Sequence, residues 1–224
     1  MRLLGIETST VRGSVALVED QRVVCRLEHA EASAHAERIL PLVARALEES
    51  GWEASAIERI AVGIGPGSFV GLRVGIALAQ GLALGLGVPV LGVGSLRSLA
   101  AAVPATQPGT RWAMLDARRD EIFVAAYDTD GCELAAPRVV ARSEMRALAA
   151  TFAPDAVVVG EVADTLDLTA GLVWRGERPF PSADRSALIA RALDPIGAPA
   201  LPHYCRGPGA VLPDLPPSPF ASSS

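Results

Sequence analysis

The 224-residue chain has no lysine and no asparagine, so all 20 of its basic side chains are arginine. Without lysine there is no Walker A loop and no Ser–Lys dyad. Cysteine is scarce: Cys25, Cys132 and Cys205 are scattered and odd in number. They make neither a disulfide framework nor a metal-ligand pair, and they fit a reducing cytoplasm. Positive charge is also short, and a net charge of −5 argues against a stand-alone nucleic-acid binder. The arginine-only bias fits a GC-rich genome. His29, His35 and His203 are the only histidines. None has a second histidine four residues away, the spacing that puts two imidazoles on one helix face. Glu31 and His35 have that spacing, but they read as a solvated helix start. No signal peptide is expected, because Met1–Ile6 leads at once to the polar Glu7-Thr8-Ser9-Thr10.

Long apolar runs are few. Val74–Gly94 carries no charge, yet Gln80, Pro89 and six glycines interrupt it. It divides naturally into a helix and a strand at Val88–Gly92, and no membrane span is expected.

The chain is organised around Gly63-Ile-Gly-Pro-Gly-Ser-Phe-Val-Gly-Leu-Arg-Val-Gly75. The run Ile57–Val62 before it reads as a buried strand, and Leu72–Leu86 after it as a helix. Gly63, Gly65 and Gly67 can supply positive φ, and Ser68 is a good N-cap. The spacing excludes a dinucleotide fingerprint, which would need glycine where Val70 stands, and a nucleophile elbow at Ser68. Around this unit, strands are predicted at Leu3–Thr8, Gly13–Glu19, Arg22–Leu27 and Val88–Gly92, with helices over Ser33–Ser50 and Ser95–Ala102. Pro41 is expected to kink the first helix. After a linker at Pro104–Gly109 come strands at Arg111–Ala117, Ile122–Asp128, Cys132–Ala135 and Ala156–Gly160, with helices over Ser143–Ala150 and from Val162. Pattern alone supports two α/β halves: residues 1–103, residues 104–206, and an extended or disordered Pro-rich tail over 207–224.

The glycine stretch closely resembles the G-x-G-P-G-S-F-T-G-x-R-I-G signature of the TsaB (YeaZ) family. Leu4–Thr10 is similar to that family's opening I-D-T-S/T, Ser33–Leu42 to its H-S/T-x-R-L-L-P, Leu115–Arg118 to its I-D-A-R, and Pro202–Arg206 to its P-x-Y-L-R. The departures are Glu7 for Asp, Val70 for Thr, and Asp120 for the glycine after Asp-Ala-Arg-Arg. The resemblance implies an actin-like (sugar kinase/Hsp70-type) duplicated fold and a non-catalytic subunit. That subunit binds TsaD, which transfers threonylcarbamoyl to N6 of adenosine 37 in tRNAs reading codons that begin with A. The ATPase TsaE joins the assembly, tRNA is met only through the complex, and the subunit pairs with a second copy of itself when TsaD is absent.

An actin-like ATPase wraps phosphate and metal between two hairpins. Here Glu7-Thr8-Ser9-Thr10 can do part of this. Asp116-Ala-Arg-Arg-Asp120 has no glycine or hydroxyl with which to close on phosphate. Glu7, Thr8, Ser9 and Asp116 therefore read as a vestigial nucleotide site with no cofactor or metal expected. Glu7 and Asp116 opposed can hold a cation, but Asp116 pairing with Arg118 or capping its turn is the preferred reading. No catalytic residue is assigned. Arg138, Arg142 and Arg146 read as a solvated strip. On the first helix, Leu40 and Leu42 lie off the Ile39/Val43 stripe. On the second, Gly71, Gly75 and Ala79 recur every four residues. Either one overfilled core or a helix-bundle interface explains this surplus. The resemblance favours the interface, with Arg38, Ile39, Leu42, Val43, Ser68, Phe69, Arg73 and Val74 as its candidate residues. A small-molecule kinase or ATPase of the same fold is the alternative.

Overall fold

The computed structural model describes residues 1–31, 34–166, 172–174, 176 and 179–205. The expected tail at 207–224, the Ser33 cap and Arg206 of the late motif lie outside the described residues.

Two five-stranded sheets carry one wiring. In the first, β1 (Arg2–Glu7), β2 (Gly13–Glu19) and β3 (Arg22–His29) form an antiparallel meander. Then β4 (Arg59–Gly65) and β5 (Val90–Gly94) add in parallel beside β1, giving the order β3-β2-β1-β4-β5. The second sheet repeats this with β6 (Arg111–Arg118), β7 (Glu121–Tyr127), β8 (Glu133–Ala141), β9 (Val157–Val159) and β10 (Leu172–Val173), in the order β8-β7-β6-β9-β10. This is the duplication expected of actin-like halves.

Side-chain alternation sends neighbours on one strand to opposite faces. Leu4 and Ile6 pack with Val15, Leu17, Ile39 and Leu72 under two crossover helices, α1 (His35–Ser50) and α2 (Phe69–Leu86). Leu3 goes the other way and meets Val18, Leu91, Ala187 and Ala190 under α5 (Ala183–Ala190). Gly5 lets α5 come close, since a Cβ there would collide with the Ala183 carbonyl. In the second sheet Leu115 and Val159 pack under α3 (Ser95–Ala100). Met114 and Val158 pack under α4 (Met145–Ala149). Helices α3 and α5 touch through polar contacts: the Ser182 amide donates to Ser98 Oγ at 3.2 Å, and Ser186 Oγ stands 3.2 Å from the same oxygen.

Several boundaries differ from the sequence reading. α1 runs unbroken past Pro41, which lies on its exposed side. Strand β8 extends to Ala141 although Pro137 lies within it, because β8 is an edge strand and needs no inward-facing donor there. The helix expected over Ser143–Ala150 is a 3-10 turn at Arg142–Glu144 followed by the five-residue α4. That expected from Val162 is a 3-10 turn at Ala163–Thr165. Val74–Gly94 divides into the rest of α2 and strand β5. Helix α5 was not anticipated, and it packs on the first sheet although its sequence lies in the second half.

Candidate docking face and interlobe cleft

Helix α2 is apolar on every side, with Arg73 and Gln80 its only polar residues. A helix of that character is normally enclosed on every side. Here only Gly71, Leu72, Gly75, Ile76, Ala79 and Ala83 are buried. Phe69 is 52%, Val70 68% and Leu84 86% exposed. Ala77, Gly81 and Gly85 lie open beside them, and a Cβ on Gly81 or Gly85 would meet nothing within 4 Å. Neighbouring α1 adds Leu40, 50% exposed, with Pro41 and Ala44. Each helix thus presents exposed apolar residues, and α2 adds a small-residue track, with Arg73 and Gln80 on the same exposed side.

The expected interface residues divide on this face. Ile39 and Val43 are enclosed in the lobe's own core and cannot meet a partner, which corrects their assignment. Leu42 and Val74 are half-buried. Arg38 is exposed and pairs with Glu31 at 3.2 Å. Ser68 caps α2, its Oγ accepting the Gly71 amide at 3.2 Å. Phe69 and Arg73 form a cluster with Tyr204: the guanidinium lies 3.8 Å from the Phe69 ring centre, and its Nε donates to the Tyr204 hydroxyl at 3.3 Å.

The glycine pattern has a different use from the expected one. Of Gly63, Gly65 and Gly67, only Gly65 has positive φ, at 104°. Gly71 and Gly75 face Thr8, whose carbonyl and hydroxyl occupy the space a Cβ would take. That small-residue row therefore seats the chain's own β1–β2 turn, and the row facing solvent is Ala77, Gly81 and Gly85. Both rows have four-residue spacing. Only the position of Leu72 and Ile76, which face the core, tells them apart.

Between the sheets lies a cleft of about 1350 Å³. Ser9, Thr10 and Ser68 line it from the first lobe, Asp116, Arg118 and Arg119 from the second, and Tyr204 from the closing segment. Glu7 and Thr8 do not line it. Glu7 is fully buried, its Oε1 accepting the Thr8 and Ser9 amides at 3.0 and 2.9 Å, with Ser95 Oγ at 3.4–3.5 Å. Burial raises its pKa above the ordinary carboxylate range, against the pull of those hydrogen bonds. Thr8 Oγ1 donates to the Gly71 carbonyl at 2.8 Å. Asp116 takes the preferred of its two expected arrangements: it pairs with Arg118 at 3.2 Å and accepts that residue's amide at 2.9 Å, while Glu7 is enclosed and does not oppose it across the cleft. The turn that carries this pair is strained, with Arg118, Arg119 and Asp120 at φ of 61°, 52° and 61°. In the arginine strip, Arg138 is exposed and Arg142 pairs with Asp120 at 3.4 Å. His35 is buried, not solvated as expected.

A family model described as "TsaD: tRNA N6-adenosine threonylcarbamoyltransferase" matches residues 28–155. The tRNA threonylcarbamoyladenosine biosynthesis protein TsaB of Escherichia coli (strain K12) is 43% identical over 131 residues. A crystal structure of an uncharacterized Pseudomonas aeruginosa protein with similarity to peptidase YEAZ covers 92% of this chain and 99% of its own. It is 30% identical, with a TM-score of 0.74. This chain belongs to the TsaB (YeaZ) family. The alignment with the E. coli relative spans 58% of this chain and 56% of that protein, so it matches about half the relative's length. The actin-like fold is shared more widely: an activator of 2-hydroxyisocaproyl-CoA dehydratase from Clostridium difficile superposes with a TM-score of 0.50 at 10% identity over 85% of this TsaB-family chain and 94% of its own.

Proposed function

We propose that this TsaB-family chain is an accessory subunit of tRNA threonylcarbamoyladenosine formation that docks on TsaD through the α1/α2 face and has no chemistry of its own. TsaD then transfers threonylcarbamoyl to N6 of adenosine 37 in tRNAs reading codons that begin with A. TsaE joins in the cytoplasm, and a second copy of the chain takes the face when TsaD is absent. The observation that carries this reading is an 18-residue apolar helix with only six residues buried. Phe69, Val70, Ala77, Gly81 and Leu84 offer side-by-side packing to a partner helix, with the glycines allowing close approach. The kinase or ATPase alternative needs two hairpins furnished for phosphate and metal. Against it stand Glu7, enclosed in the core, and Asp116, already paired with Arg118.

Co-expression with TsaD of the same organism tests the proposal. A stable complex is expected with the native chain, and its loss with Leu84→Asp. An intact complex with that variant, or magnesium-dependent ATP turnover by the purified chain, overturns it.

A further inference from the structure

His29 at the end of β3 and His35 at the start of α1 form a hydrogen-bonded pair that the docking role does not use. His35 Nδ1 lies 3.2 Å from His29 Nε2, and the rings meet edge to face. Both ends of the chain of bonds are fixed by backbone groups. His35 Nε2 lies 2.8 Å from the Thr10 carbonyl, which can only accept, so that nitrogen carries a proton. The Glu31 amide donates to His29 Nδ1 at 3.3 Å, so that nitrogen carries none. With both rings neutral one arrangement satisfies every link. The Glu31 amide gives to His29 Nδ1, His29 Nε2–H to His35 Nδ1, and His35 Nε2–H to the Thr10 carbonyl. A further proton has only the two Nδ1 atoms to go to, and each already accepts a hydrogen. Any protonated state of the pair therefore loses a link.

We infer that the Glu31–His29–His35–Thr10 chain is a latch that acid opens at its Glu31–His29 link, and that when neutral it ties the Glu31 turn through both rings to the β1–β2 turn at the cleft mouth. The same turn reaches the second sheet's side of the cleft, where Arg12 pairs with Glu161 at 3.2 Å. Gly13 on β2 lies beneath both rings, and a Cβ there would strike each of them. The missing side chain of Gly13 leaves the space that the two rings occupy, His35 buried and His29 partly so. The surroundings of His29 oppose its protonation on balance. Burial, His35 and the Arg38 guanidinium on α1 lower the His29 pKa below its ordinary value, and Glu31 alone works the other way while engaged by Arg38. Lowering is the sign for a contribution fully present above pH about 6.5 and lost as pH falls through the folded value. The latch does not rest on the TsaD reading and is tested without that partner.

Long-range proton–nitrogen NMR on the full chain at pH 8 is expected to show both rings neutral with the proton on Nε2. Hydrogen exchange at the Glu31 amide, corrected for its intrinsic rate, is expected to lose at least tenfold protection between pH 7.5 and pH 5.5. His29→Gln, which donates from its own Nε2 and takes up no proton, is expected to keep equal protection at both values. A proton on Nδ1 of either ring at pH 8 overturns the latch, as does loss of protection in His29→Gln equal to that of the native chain. The NMR measurement needs no variant, so the inference remains testable if His29→Gln does not fold.

Discussion

The two sheets share strand order and direction and differ in what connects their strands. In the first, the crossovers are α1 and α2, of 16 and 18 residues. In the second, among the described residues, the same two connections hold a 3-10 turn followed by the five-residue α4, and a three-residue 3-10 turn. The short versions suffice to cover a sheet face, as Met145, Ala149 and Phe152 do over Ile122 and Val124. The extra length in the first lobe buries residues from His35 to Ala46 and from Gly71 to Ala83, and it does more than that. It builds the outer apolar face, so duplicated wiring here carries an unduplicated surface.

That comparison can be broken by separating the inner and outer sides of the long helices. The largest effect is expected on the inner side. Ile39→Ala removes a fully buried side chain from the first core and should cost about 2–5 kcal/mol in urea denaturation. On the outer side, Val70→Asp with Leu84→Asp should weaken TsaD binding about 100-fold by calorimetry, some 2.7 kcal/mol, with little change in melting temperature. The matched change on the second lobe, Ala147→Asp on exposed α4 surface, should leave binding as it was. Equal losses from both lobes would remove the asymmetry.

Two smaller effects sharpen the contrast between the two hairpins. Glu7 has a raised pKa, so the folded chain holds its proton where the unfolded chain has released it, and stability falls as pH rises above about 4.5. Glu7→Gln should keep the fold and gain stability over the native chain progressively from pH 5 to pH 8, measured as a urea midpoint. On the facing hairpin, Arg119 holds φ of 52° with no ion pair among the described residues. Arg119→Gly should relieve that strain and raise stability by about 0.5 kcal/mol, read as a shift in melting temperature.

The strands were largely legible because β1, β2, β4 and β6 are apolar runs bounded by turns, and α2 because Ser68 marks its start. Helix α5 was not, since its buried set is Ala183, Asp184, Arg185, Ser186, Ala187 and Ala190. Polar groups on the inner side conceal the period that would announce a packed helix. The candidate face was legible as a surplus of apolar residues but not in direction. Ile39 and Val43 have the spacing of any helix stripe, and only the sheet beneath decides that they point inward. Glu7 likewise looks like a cleft carboxylate in sequence. Its burial depends on Gly63, whose missing side chain leaves room for it.

Helix α5 has a consequence for how the chain is made. Leu3, Val18, Ala61, Leu91 and Val93 are all synthesised within the first hundred residues, and the helix that covers them arrives only at 183–190. A ribosome elongating at roughly 5–20 residues per second leaves that side of the sheet bare for several seconds. The nascent protein must cross that interval with a sticky flank, a natural hold for a chaperone and a point at which premature termination would yield an aggregating fragment.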